Sequence, residues 1–321
     1  MVRTASCGIA LTFLLPLLTL AQAYPVRPIR LIVPFPPGGT IDMVGRMVAL
    51  SLGERIGQTV VVDNRGGAGG MLGVELAARA APDGYTLCLC SVGAMISAPL
   101  LAAKAPYDAR RDFAPISAVA TVPYLLLVRH ASGLTSVNDL IGLAQQKPGT
   151  LNYGSAGTGS TSHLAAALFV SMAGINVVHV PYKGSAPAAT DLFGGQIQFV
   201  FEAMGAGVQY VKTGRLRALG VSTLKRSALL PELPTLSEQG VPGYEISTWH
   251  SVCAPRGTPA AIIEKLNREI VAVINTPEVR DKFTAAGTEA QGSTPEQLRL
   301  RIEQEFPRWE KLLTQLGLRV K

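Results

Sequence analysis

Two segments carry residue types at spacings suited to gripping an anion. The first, Val33-Pro-Phe-Pro-Pro-Gly-Gly-Thr40, follows an apolar run and leads straight into a helical pattern, so its last backbone N–H groups face outward at a positive helix end. Its two glycines permit close approach of a ligand to the backbone, and Thr40 adds a hydroxyl donor. Asp42, in the first helical turn, reads as a capping or dipole-complementing residue rather than a ligand contact. The second segment, Tyr153-Gly-Ser-Ala-Gly-Thr-Gly-Ser-Thr-Ser-His163, repeats the design with glycines and hydroxyls ahead of a helix. Neither contains Gly-Lys-Ser/Thr or G-x-G-x-x-G, which disfavours a nucleotide phosphate cradle. The glycines of Gly66 to Gly70 also lack dinucleotide spacing and read as a tight turn.

Catalytic apparatus is harder to find. Ser155 lies in Gly-Ser-Ala-Gly rather than in the G-x-S-x-G elbow that exposes a nucleophile between strand and helix. The enzyme alternative is an exported hydrolase using Ser155 or Ser160 with His163. His130, His179 and His250 are lone residues in apolar surroundings, and no H-E-x-x-H, paired carboxylate or C-x-x-C pattern appears. Cys88-Leu-Cys90 lacks a second cluster to complete a zinc site. The expectation is therefore a protein without catalytic residues, metal or cofactor. Cys88, Cys90 and Cys253 are expected as small buried hydrophobes, with a bridge from Cys253 to either of the others as the alternative.

Short apolar runs alternating with amphipathic stretches must position these segments, and that alternation is the signature of an α/β fold with parallel strands. Strands are expected at Ile29–Val33, Val60–Val62, Thr86–Cys90, Val119–Val128, Leu151–Tyr153, Val177–Val180, Ile197–Phe201 and Arg217–Val221. Helices are expected from about Ile41 to Ile56, Met71 to Ala80, Ser136 to Gly149, Thr161 to Met172 and Ala186 to Phe193. Loops that follow such strands collect at their carboxyl ends, where open α/β sheets bind ligands. Two further helices are expected at the end of the chain, one opened by Thr258-Pro259 and one by Ser293-Thr-Pro-Glu296. Pro307 predicts a kink or break in the last helix near Arg301 to Pro307.

With 321 residues, 48% of them hydrophobic and only 16% charged, the chain has material for two domains and one cleft between them. The net charge of +7 is scattered without a basic block, which argues against nucleic acid as a partner. The mean hydropathy of +0.28 is explained in large part by one segment. A short basic start, an apolar stretch from Ile9 to Leu20 and Ala21-Gln22-Ala23 read as a secretory signal peptide cleaved after Ala23. That stretch, broken by Pro16, is too short to span a bilayer of ~30 Å, and no later apolar run approaches the ~18 residues a membrane helix needs.

The segments Val33–Asp42, Val62–Gly70, Tyr153–Ser160, His179–Ser185 and Gly214–Ala218, in this order and at these spacings, resemble the Bug family. These are the TctC-like periplasmic solute-binding receptors of tripartite tricarboxylate transporters, and the similarity runs from about Pro25 to the end of the chain. The resemblance implies a type II Venus flytrap, each lobe a mainly parallel sheet flanked by helices, with residues 24–124 plus 249–321 in lobe one and 125–248 in lobe two. It implies a monomer that holds a small organic carboxylate by backbone amides and hydroxyls, without an arginine clamp, and delivers it to membrane permease subunits. Docking on a signalling protein is the alternative. Carried onto this chain, the first loop contributes Phe35, Pro36, Gly38, Gly39 and Thr40. The second contributes Ser155, Ala156, Gly157, Thr158, Gly159 and Ser160, with His163 beside it. Ser91, Gly93 and Ala94, together with Glu202, complete the expected cleft. Two departures from the family pattern bear on specificity: Glu202 stands where Asp is common, and Ala94 near a position that often carries a hydroxyl. With Phe35 and Met95 as apolar surface, the expected ligand is a carboxylate with one modest apolar or aromatic part.

Overall fold

The computed structural model describes Val2, residues 24–227 and residues 229–318. The expected signal peptide, Val2 aside, lies outside the described residues. The chain begins β1 (Ile29–Val33), α1 (Thr40–Ile56), β2 (Val60–Asn64), α2 (Met71–Ala78), β3 (Thr86–Ser91). β1 runs parallel to both β2 and β3, as alternating strands and helices require. α1 lays Ile41, Val44, Val48 and Leu52 on this sheet, one apolar residue every three or four positions. After β3 the chain forms a π-helical turn at Gly93–Ser97 and a short helix, α3 (Ala98–Leu101).

The next strand joins two lobes. β4 (Phe113–Arg129) has 17 residues, which spans roughly 55 Å at ~3.3 Å per residue. A second α/β series follows it: α4 (Val137–Gln146), β5 (Asn152–Ser155), α5 (Thr161–Ala173), β6 (Val178–Pro181), α6 (Ser185–Gly194), β7 (Phe199–Ala203), α7 (Met204–Lys212) and β8 (Leu216–Val221). The chain then returns through β9 (Ser247–Pro255) and ends in α8 (Ala260–Ile274), α9 (Pro277–Ala285), β10 (Glu289–Ala290) and α10 (Pro295–Gln315). The strand order is β2-β1-β3-β9-β4-β7-β5-β6, with β8 and β10 also paired to β4. From Phe113 to Pro123, β4 pairs antiparallel with β9; from Tyr124 onward it pairs with β7 and β8.

Four features depart from the sequence expectation. β9, unannounced by any period, enters antiparallel between β3 and β4, so the first sheet is mixed. α7 contains Gly205 and Gly207, poor helix formers; tertiary contact decides here, because a side chain at Gly205 would lie 2.0 Å from the Ala286 carbonyl. Thr258 does not cap α8: its hydroxyl donates to the Pro255 carbonyl, and Pro259 is the residue before the helix. α10 runs unbroken across Pro307, because its packed stripe of Leu298, Ile302, Phe306, Trp309 and Leu313 outweighs the one lost backbone bond. Cys88, Cys90 and Cys253 are buried free thiols on β3 and β9, Cys88 opposite Cys253.

Candidate functional site

The first loop is built by α1 and β2. Gly38 N donates to Asp42 Oδ2 (3.1 Å), while Asn64 Nδ2 donates to Asp42 Oδ1 and to the Phe35 carbonyl, both at 2.9 Å. Asp42 therefore shapes the loop from behind, and Arg46 pairs with it. Burial pushes the Asp42 carboxyl up, but the bonds from Arg46, Gly38 and Asn64 together hold it below the usual carboxylate range. A depressed folded-state value stabilises the fold above the unfolded value near 3.8 and loses that contribution as pH falls below it. Asp42→Ala is thus expected to lower the melting temperature at pH 7, by the loss of a charge-assisted bond worth ~1.5–3 kcal/mol, and the difference from wild type should shrink by pH 3. Thermal unfolding at pH 7, 5 and 3 checks this; a difference that grows on acidification refutes it. The Gly66–Gly70 turn supports the same loop. A side chain at Gly66 would meet Pro36 at 2.7 Å, and one at Gly70 would meet Ala94 and Phe35.

In the second loop the amides turn inward, against expectation. Ala156 N donates to Ser162 Oγ (2.9 Å), Gly157 N to Ser155 Oγ (3.1 Å) and Gly159 N to His163 Nδ1 (3.2 Å). The loop spends these donors on its own shape, so hydroxyls rather than amides are left to face a ligand. His163 is buried and stacks on His179 with ring centroids 4.1 Å apart. Burial pulls His163 down to about 3, helped by His179, and His179 down to about 4, so both rings are neutral. Ser155 Oγ lies 2.7 Å from His179 Nε2 and not on His163, so the Ser155–His163 couple of the hydrolase alternative is not formed.

The two loops meet. A side chain at Gly69 would lie 2.4 Å from the Thr158 carbonyl, and one at Gly159 2.5 Å from Ala98. Ser97 Oγ donates to the Gly159 carbonyl (2.7 Å), and Ala206 N donates to Thr40 Oγ1 (2.9 Å). Between these contacts lies a partly open cavity of about 60 Å³.

Four helix N-termini converge on that cavity: Gly39, Thr40 and Ile41 at α1, Ser160, Thr161 and Ser162 at α5, Ser185 at α6 and Ala203 at α7. No side chain caps α1 or α6, so their positive ends stay available to an anion, whereas α7 gives its Ala206 amide to Thr40 Oγ1. Phe35, Pro36, Ser91, Tyr124, Ala156, Glu202 and His250 complete the lining, and among the described residues no lysine or arginine takes part. Of the residues expected from sequence, Phe35, Pro36, Gly39, Thr40, Ser91, Ala156, Ser160 and Glu202 line the cavity. Gly38, Gly93, Ala94, Ser155, Gly157, Thr158, Gly159 and His163 stand behind it as packing or hydrogen-bonding supports. Met95 faces a different groove, beside Arg110 and Phe306. Sequence reasoning missed Ile41, Tyr124, Thr161, Ser162, Ser185, Ala203 and His250; the hydroxyls at the starts of α5 and α6 were the available signal. Glu202 is buried, accepting from Ala203 N (3.1 Å) and from the Ser185 hydroxyl, and burial pushes it up to about 8.

Residues 44–318 match the family model described as the tripartite tricarboxylate transporter family receptor. The chain is 39% identical to Protein BugT of Bordetella pertussis over 302 residues, 94% of this chain and 93% of that one. Among solved structures it is similar to Rpa4515 of R. palustris with adipate, at 39% identity and a TM-score of 0.89, covering 92% of this chain and 98% of that one. It is also similar to MatC from Rhodopseudomonas palustris with bound malate, at 30% identity and a TM-score of 0.85, covering 90% and 100%.

Proposed function

Because the chain belongs to the tripartite tricarboxylate transporter family of receptors, we propose that it captures a small organic carboxylate between its lobes, closes on it and presents it to the permease subunits of such a transporter. The observation that carries this reading is the cavity where four helix N-termini meet, with no cationic side chain among the described residues that line it, an arrangement that favours an anion through aligned backbone dipoles and hydroxyls. The adipate and malate held by the two solved relatives are carboxylates of the size class proposed here. Phe35 and Ile41 give the lining an apolar part, consistent with a carboxylate that carries a modest apolar segment.

Lobe one is assigned to 24–124 and 249–321, lobe two to 125–248; the change of β4 partners between Pro123 and Tyr124 supports these limits. The receptor acts as a monomer in the periplasm after removal of the segment ending at Ala23. No described helix is long and apolar enough to cross a membrane. The site is read as binding its ligand without turnover: of the two serines of the hydrolase alternative, Ser155 stands behind the cavity, and the Ser160 hydroxyl accepts from the His163 backbone amide at the start of α5.

Thermal shifts against citrate, dicarboxylates, amino acids and aromatic acids test the ligand class. A ligand at 100 times its Kd is expected to stabilise by ~2.7 kcal/mol, and adipate-like dicarboxylates or acids with an apolar segment should do so. Stabilisation by citrate alone refutes the assignment.

A further inference from the structure

We propose that the cavity holds its ligand together with one proton, shared between a ligand carboxylate and the Glu202 carboxyl. This rests on the carboxylate reading above and goes beyond it by naming the ionic form that is held.

Glu202 stands near the end of β7 and lines the cavity with only 3% of its surface exposed. Its partners are the Ala203 amide (3.1 Å) and the Ser185 hydroxyl, both neutral donors. The titratable groups around it are Tyr124 on β4, Tyr210 on α7 and, across the cavity, His250 on β9. Both tyrosines are pushed up, chiefly by burial and further by Glu202, and burial pulls His250 down to about 3, so none supplies a positive charge. Among the described residues no lysine or arginine lines the space. An ionised Glu202 would therefore set a second anion beside the ligand in a cavity of about 60 Å³, with only dipoles to offset both.

The conflict disappears when Glu202 is protonated. The carboxylic acid then donates a short O–H···O⁻ bond to the ligand, the strong charge-assisted kind, and the ligand's charge remains for the helix ends to stabilise. Burial already holds Glu202 at about 8 in this arrangement, so the cavity as formed here carries the proton at neutral pH. A bound carboxylate raises the value further, because like charges disfavour ionisation. His250 adds an independent sign of a polar occupant: it lines the cavity, and its Nδ1 is a buried nitrogen without a hydrogen-bond partner among the described residues.

The sign follows. Affinity is constant well below pH 8 and weakens above it, by about tenfold per pH unit for one linked proton. Isothermal titration calorimetry with adipate and with malate, from pH 7 to 9.5, reads this directly, since both carboxyls of these acids, the second raised by the charge of the first, are ionised throughout that window. Repeating each titration in two buffers of different ionisation enthalpy should give proton uptake near zero at pH 7, approaching one proton at pH 9. Glu202→Gln replaces the O–H donor with an amide; it is expected to weaken binding at pH 7 several-fold and to flatten the profile. Wild-type binding without proton uptake at pH 9, or a Glu202→Gln profile parallel to wild type, overturns the proposal. The wild-type uptake decides the matter alone if the variant does not fold. Failure of every carboxylate to bind wild type removes the carboxylate reading itself, an outcome distinct from pH-independent binding.

Discussion

Gly157→Val is expected to abolish ligand capture while both lobes stay folded. Gly157 has φ +121°, and a side chain there would lie 3.0 Å from Gly69 N and 3.1 Å from the Tyr182 carbonyl. Gly69 belongs to the turn before α2, in the first α/β series, so the branches of valine would wedge that turn away from the second loop in the closed form. The open form keeps only the local backbone strain, about 1–3 kcal/mol for a β-branched residue in that region. A ligand drives closure only through its better affinity for the closed state, and the wedge removes that advantage. Affinity for adipate or malate should fall at least 100-fold, or about 2.7 kcal/mol. Calorimetry measures the loss, and small-angle scattering should show a receptor that stays extended with ligand present. A dissociation constant within threefold of wild type would falsify the interlobe role of this glycine.

The second large effect is on stability. Phe169 on α5 is fully buried, its ring centroid 6.0 Å from Phe199, 5.8 Å from Phe201 and 6.4 Å from Tyr244. The cluster ties α5, which presents Ser160 to Ser162 at its start, to β7, which carries Glu202 near its end. Phe169→Ala leaves a cavity among rings that cannot collapse into it, and is expected to cost ~3–5 kcal/mol. Urea unfolding should show a lower midpoint with an unchanged slope, because the surface exposed on unfolding is nearly the same. A loss below about 1 kcal/mol would mean that the cluster relaxes, contrary to close packing.

The helix-entry loops were legible because glycine and proline punctuate the chain directly after strong β-branched runs such as Ile29–Val33, and a helix end has its polarity wherever it occurs. Glu202 was reached through the family resemblance, not through any spacing. The destination of the second loop's amides was not legible: it depends on Ser155, Ser162 and His163 folding back onto their own turn, and hydroxyl and imidazole partners are chosen in three dimensions. β9 escaped because Ser247-Thr-Trp-His-Ser-Val-Cys-Ala-Pro255 shows no alternation, being buried almost throughout between β3 and β4. α7 escaped because its glycines are demanded by neighbours distant in sequence: Gly205 by Ala286 and Gly207 by Leu125. His250 and Tyr124 reach the cavity only because these strands pass beneath it.

The long β4 strand has a mechanical consequence. Its first stretch is stitched to β9 and its last to β7 and β8, so neither half of the molecule can slide along the other without tearing a ladder. Freedom is confined to torsion where the stitching changes hands, beside Pro123 and the entry to β9 at Ser247. Any opening would therefore be that of a book turning about its spine, with a few degrees of twist there becoming ångströms of travel at the rims where the glycine turns lie.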